Sequence, residues 1–152
     1  MIEAKSYLMG EDGKFHPVDQ VSTYDGDRDY VEGAIELTIN HVPIIDCDMY
    51  DYVDQLWAYL VRLVGEASTS GQSETLFPDQ PIRLTLENGR NGRMLVTCDA
   101  GDGRRVASCS RKELSAAIKE EATSFFQWMS QLIPENSRGY AYALRDAAAI
   151  QA

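Results

Sequence analysis

The first half of this chain is nearly without positive charge. Residues 1–79 carry 16 acids and four bases, a net of −12, whereas residues 80–152 carry eight acids and ten bases, a net of +2. Duplex binding rests on Lys and Arg neutralising phosphates, so this distribution argues against nucleic acid as a direct ligand. Long apolar runs are missing as well. None approaches the roughly 20 residues that a helix needs to cross a bilayer, so no membrane partner is expected. The opening MIEAKSYLMG has neither a basic n-region nor an apolar h-region, and no signal peptide is read there.

Cysteine is scarce. Cys47, Cys98 and Cys109 are an odd count without C-x-x-C spacing, which fits free thiols in a reducing cytoplasm. The two histidines, His16 and His41, have no second His or Cys at ligand spacing, so a zinc site would need distant residues. There is no Gly-rich phosphate loop, no G-x-S-x-G and no Cys-His nucleophile pairing. The expectation is a protein that is not an enzyme, with no catalytic residues, no metal and no cofactor.

What is present suffices for one folded domain. The 152 residues are 44% hydrophobic and 25% charged, the composition of a chain that buries a core without disulfides. Its most distinctive stretch is Asp19 to Asp54, which holds ten carboxylates against one cation, Arg28. Within it Ile35, Leu37 and Ile39 alternate with Ala34, Glu36 and Thr38, which predicts a strand over 31–40 with a short one at 42–45. Asp46-Cys47-Asp48 reads as the opening of a helix, with Asp48 as N-cap and Asp51 three residues on, facing the positive end. Val53, Leu56, Trp57, Leu60, Leu63 and Val64 give that helix one apolar stripe.

The rest of the chain is punctuated clearly. Residues 1–9 suggest a first, peripheral strand, and 65–80 a polar linker loop closed by Phe77-Pro78-Asp79-Gln80-Pro81. Strands near 82–86, 94–98 and 105–109, separated by Asn-Gly and Gly-Asp-Gly turns, form a meander. Ser110-Arg111-Lys112-Glu113 is a capping box, opening a helix that runs to about Ile133, before Pro134. Residues 140–152 suggest a short docked helix. The fold class is α+β: residues 1–152 as a single domain, an antiparallel sheet of about five to six strands packed against two amphipathic helices and a short C-terminal helix.

Asp25-x-Asp27-x-Asp29 with Glu36 mimics part of a calcium loop. Tyr30 stands where such a loop needs Gly, Glu32 where it needs an apolar residue, and a strand follows instead of a helix. A solvated acidic loop is the better reading. Tyr24, Tyr30, Tyr50 and Tyr52 interleave with the acids. Tyr supplies contact area at little ordering cost, and ringing carboxylates set orientation and association rate. The candidate partner-binding residues are therefore Tyr24, Asp25, Asp27, Asp29, Tyr30, Asp48, Tyr50, Asp51, Tyr52 and Asp54.

The strings Gly33-Ala34-Ile35-Glu36-Leu37-Thr38-Ile39-Asn40, Asp51-Tyr52-Val53-Asp54-Gln55-Leu56-Trp57 and Phe77-Pro78-Asp79-Gln80-Pro81-Ile82 span the middle half of the chain. In an acidic domain of this size they resemble small cytosolic immunity proteins of bacterial polymorphic-toxin systems, contact-dependent or type VI-secreted. The resemblance is one of size, acidity and layout. It implies a cognate protein toxin as partner, with a basic cleft that the acidic surface occludes. Two other classes remain open: a non-catalytic adaptor, chaperone or homodimeric scaffold, and a small enzyme whose site is assembled from distant residues.

Overall fold

A computed structural model describes residues 1–151 and resolves two antiparallel sheets and three helices. The first sheet has the order β2(Phe15–Pro17)-β1(Ile2–Met9)-β3(Glu32–Ile39)-β4(Val42–Ile45), and β5(Asp51–Tyr52) shares the β4 side of β3. The second is β6(Gln72–Leu76)-β7(Arg83–Asn88)-β8(Arg93–Asp99)-β9(Arg104–Ser110). The helices are α1(Val53–Ser70), α2(Arg111–Leu132) and α3(Ser137–Ala148). The α+β class stands, but the strands divide into two sheets instead of one.

Burial follows the sequence patterns. The stripe of α1 is buried throughout, and Ile35, Leu37 and Ile39 line the inner side of β3. α1 lies against β3 of one sheet and β6 and β7 of the other, while α2 crosses β1, touches β9 and carries α3. Trp57, Phe125, Phe126 and Tyr140 form a chain of aromatic contacts with ring centroids 5.1–6.3 Å apart. Buried side chains from both sheets and all three helices make one continuous core. Ser110 accepts from the Glu113 N–H, as its capping box requires.

Three local expectations are corrected. The helix does not open at Asp46: Asp46 caps a single 3-10 turn, Cys47–Met49, by accepting from the Asp48 N–H, and α1 begins at Val53. The 65–80 stretch is not a linker, because α1 continues to Ser70, Gly71 closes it at φ 85°, and 72–76 is an edge strand. β1 is not peripheral, since it pairs with β3 over seven residues and with β2 on its other side.

The two sheets meet where β4 approaches β9. Arg105 Nη1 donates to the Pro43 carbonyl at 2.9 Å and to Asp46 Oδ2 at 2.7 Å, and Asn40 Nδ2 donates to the Ser108 carbonyl at 2.8 Å. Gly33 marks another close approach. A Cβ there would overlap the Tyr7 carbonyl oxygen and lie 2.7 Å from Val53 Cγ1, so any side chain would push β1 away from β3.

Candidate protein-binding face

Strand parity builds the candidate face. Ile35, Leu37 and Ile39 face inward, so Glu32 and Glu36 face outward. In the β1–β3 register Tyr7 opposes Ala34 and Lys5 opposes Glu36. Tyr52 opposes Glu32 across β5 and packs against Tyr30 with ring centroids 5.2 Å apart. Phe15 on β2 packs against Tyr50 at 6.2 Å. The outer side of the first sheet thus carries Tyr7, Phe15, Tyr30, Tyr50 and Tyr52 among Glu32, Glu36, Asp48 and Asp79. Tyr30 is 55% exposed and Tyr50 48%, large values for aromatic side chains.

The electrostatics agree with that placement. Burial, followed by the adjacent Glu36 carboxylate, raises the Tyr7 phenol well above its ordinary value. Asp79 leads the groups that raise Tyr52, followed by its partial burial, then Glu32 and Tyr30. Burial, then Glu36, Asp46 and Asp48, raises the Cys47 thiol, which keeps it protonated and a poor nucleophile. Phenols and a thiol held neutral among carboxylates offer hydrogen-bond donors and apolar area inside a negative field.

The loop leading into β3 is ordered by its own polar groups. Tyr24 donates to the Asp27 carbonyl at 2.6 Å, and its phenol is pushed up to about 12 by burial and then by Asp27. Asp27 Oδ1 accepts from the Asp29 N–H at 2.8 Å. Arg28 pairs with Glu135 at 2.7 Å, and Asn136 Nδ2 reaches the Arg28 carbonyl at 2.8 Å, tying the loop to the start of α3. Asp25, Asp27 and Asp29 remain exposed. Among the described residues no group of three or more His, Cys, Asp or Glu is placed to hold a metal ion.

Two of the ten candidate residues have other employment. Asp51 is only 4% exposed, and its carboxylate accepts from the N–H groups of Tyr52, Asp79 and Gln80 at 2.6–3.1 Å. It holds the Phe77–Pro81 turn against β5, so a partner cannot reach it as a surface acid. Asp54 is half-buried in the first turn of α1, accepting from Tyr140 Oη at 2.9 Å and from the Gln55 N–H at 2.9 Å. Its burial raises the carboxyl. Tyr24, Asp25, Asp27, Asp29, Tyr30, Asp48, Tyr50 and Tyr52 lie at or near the surface, with Tyr24 and Tyr52 half-buried.

Tyr7, Phe15, Glu32, Glu36 and Asp79 join the face without having been singled out by the acidic stretch. A parity signal existed for three of them. Tyr7 is out of phase with Ile2, Ala4, Ser6 and Leu8, and Glu32 and Glu36 with Ile35, so both strands announce an outer side. Phe15 and Asp79 carried no such signal.

The fold and face define an α+β domain with an acidic, tyrosine-bearing sheet surface. No family model, curated protein or solved structure matches the chain.

Proposed function

We propose that this protein is a non-catalytic inhibitor of the immunity type, which binds a cationic cleft of a cognate protein toxin through the outer face of its first sheet. The observation that carries the reading is the pairing of exposed tyrosines with carboxylates on one face. Tyr30 and Tyr50 are each about half exposed, each packed at a tilt against a second ring, and bordered by Glu32, Asp48 and Asp79. Exposed aromatic rings anchored by neighbours supply the centre of a protein interface. Surrounding acids accelerate encounter with a basic partner and fix its orientation.

A division of labour follows from this reading. Glu32, Asp48 and Asp79 act on association, because they are exposed and screened by salt. Tyr30 and Tyr50 act on dissociation, because their contact area is buried only in the complex. Asp51 and Asp54 act on neither, being committed to the fold.

The test begins with co-purification of this chain with the product encoded beside its gene, followed by stopped-flow binding. Reversing Glu32, Asp48 and Asp79 to Lys should slow association at least about tenfold and flatten its salt dependence. Tyr50→Ala should leave association unchanged and speed dissociation by about thirtyfold, the size of a hot-spot loss. Unchanged association rates in the triple reversal would exclude this face as the interface.

A further inference from the structure

The first two residues of α2 carry the wrong charge for their position. A helix N-terminus favours acids, because its unmet N–H groups and macrodipole make it positive. Here Arg111 and Lys112 follow the Ser110 cap directly, and both are exposed. Neither makes an ion pair among the described residues, although the chain has a net charge of −10. The Arg111 N–H goes to the Gly92 carbonyl and the Glu113 N–H to Ser110 Oγ, whereas the Lys112 N–H has no acceptor among the described residues. Two cations at the positive end of a 22-residue helix raise its energy, and an anion between them lowers it.

Beside these cations is a buried hydroxyl with nothing to bond. Ser115 lies four residues after Arg111 and three after Lys112, so the three share one side of α2. It is only 3% exposed, yet among the described residues its Oγ makes no hydrogen bond. Thr123 and Ser130 in the same helix donate back to the Lys119 and Phe126 carbonyls, and Ser115 does not. Every fully buried polar side-chain atom among the described residues has a partner, so the accessible part of Ser115 is its oxygen. That oxygen opens into a cavity of about 300 Å³, walled by Arg111, Lys112, Ser115, Ser68 and Gln151. Lys119 holds the Ala148 and Ile150 carbonyls at 3.4 and 2.9 Å, which sets Gln151 against the cavity. Ser68 comes from the last turns of α1. Three carbonyls near that end are already met, Val64 by Ser68 Oγ, Glu66 by Ser70 Oγ and Ala67 by the Gly71 N–H, which reduces the negative charge α1 presents.

We propose that this cavity binds a phosphate dianion, either free or as the monoester of a small molecule. The Arg111 guanidinium supplies a planar fork and the Lys112 ammonium a point charge, a pair suited to an anion with several terminal oxygens. Ser115 Oγ donates to a further oxygen and so gains the partner it lacks. A carboxylate has only two oxygens for these three donor groups. The positive end of α2 adds to the attraction. The volume is at the lower end for ligand sites, room for phosphate and a small organic group. The inference goes beyond the inhibitor role and does not depend on it. α2 covers the inner side of the first sheet, where Glu121 accepts from Ser6, and the tyrosines lie on the outer side.

Inorganic phosphate titrated into the isotope-labelled full chain, at fixed ionic strength with chloride as the balancing anion, should shift the amide signals of residues 111–115 saturably. Arg111→Gln and Lys112→Gln should each weaken binding about tenfold. Ser115→Ala should also weaken it about tenfold and leave the urea midpoint unchanged, because the hydroxyl loses no bond in the free chain. A packing role for Ser115 would move the midpoint and leave phosphate binding alone, which is the opposite result. Glycerol phosphate titrated in parallel separates the two sources. Binding tighter than that of inorganic phosphate assigns the rest of the cavity to an organic group, and equal binding assigns the site to the free ion. The absence of a saturable shift up to about 50 mM phosphate would overturn the proposal. So would equal shifts on raising chloride alone, or a Ser115→Ala chain that binds phosphate as well as the wild type.

Discussion

A carboxylate almost wholly out of water must be met by donors, and Asp51 is met by three main-chain N–H groups. Asp51→Ala leaves those donors in a site that excludes water, and should cost about 2–3 kcal/mol in denaturant unfolding. Asp51→Asn keeps one acceptor and should fall between the two. Asp54 and Glu121 behave differently. Burial raises both carboxyls, against the hydrogen bonds from Tyr140 and Gln55 at Asp54 and from Ser6 at Glu121, where Asp19 and Glu120 add to the rise. The folded chain thus binds protons at these positions more readily than the unfolded chain. Their contribution to stability is complete below the ordinary carboxylate range and is lost as pH rises through the raised folded values. Asp54→Asn with Glu121→Gln should therefore flatten the fall of unfolding free energy above that range, as followed by urea midpoints in a pH series.

Elements with a strong local signal were legible in the sequence, and those fixed by distant pairing were not. The α1 stripe and the Ser110 cap depend on neighbours three or four residues away, so periodicity finds them. β6 has only Leu76 and polar residues, with Leu76 exposed, so nothing in its own composition marks it as a strand. It is held by five registered pairs with β7. The β3–β4 connection was similarly hidden. Asn40 and His41 both adopt positive φ, 48° and 70°, in a two-residue hairpin that sequences usually signal with Asn-Gly. His41 is exposed and carries the strain of the left-handed region. His41→Gly should stabilise the fold by about 0.5–1 kcal/mol, net of the greater chain entropy of Gly. A rise in the denaturant midpoint with unchanged slope is the measurement.

At the scale of the molecule, charge segregation was readable from the sequence, but its geometry was not. Counting acids cannot tell Asp48, at the surface, from Asp51, three residues later and inside. That difference is made by the Phe77–Pro81 turn folding over β5, a contact 28 residues away in sequence. The division into two sheets was equally invisible, since side chains, not a shared ladder, join β4 to β9. One core nevertheless runs through both sheets and all three helices. The sheets should therefore unfold together, with coincident transitions by far-UV circular dichroism and by tryptophan emission. Arg105 is the strictest place to test this, because its guanidinium binds Pro43 and Asp46 across the junction. Both groups are partly exposed, and solvent screening limits the pair's value. Arg105→Ala should lower stability by about 1–2 kcal/mol and keep the two transitions superimposed. Separate transitions in that variant would mean that the sheets are held together at their edges and not by the common core.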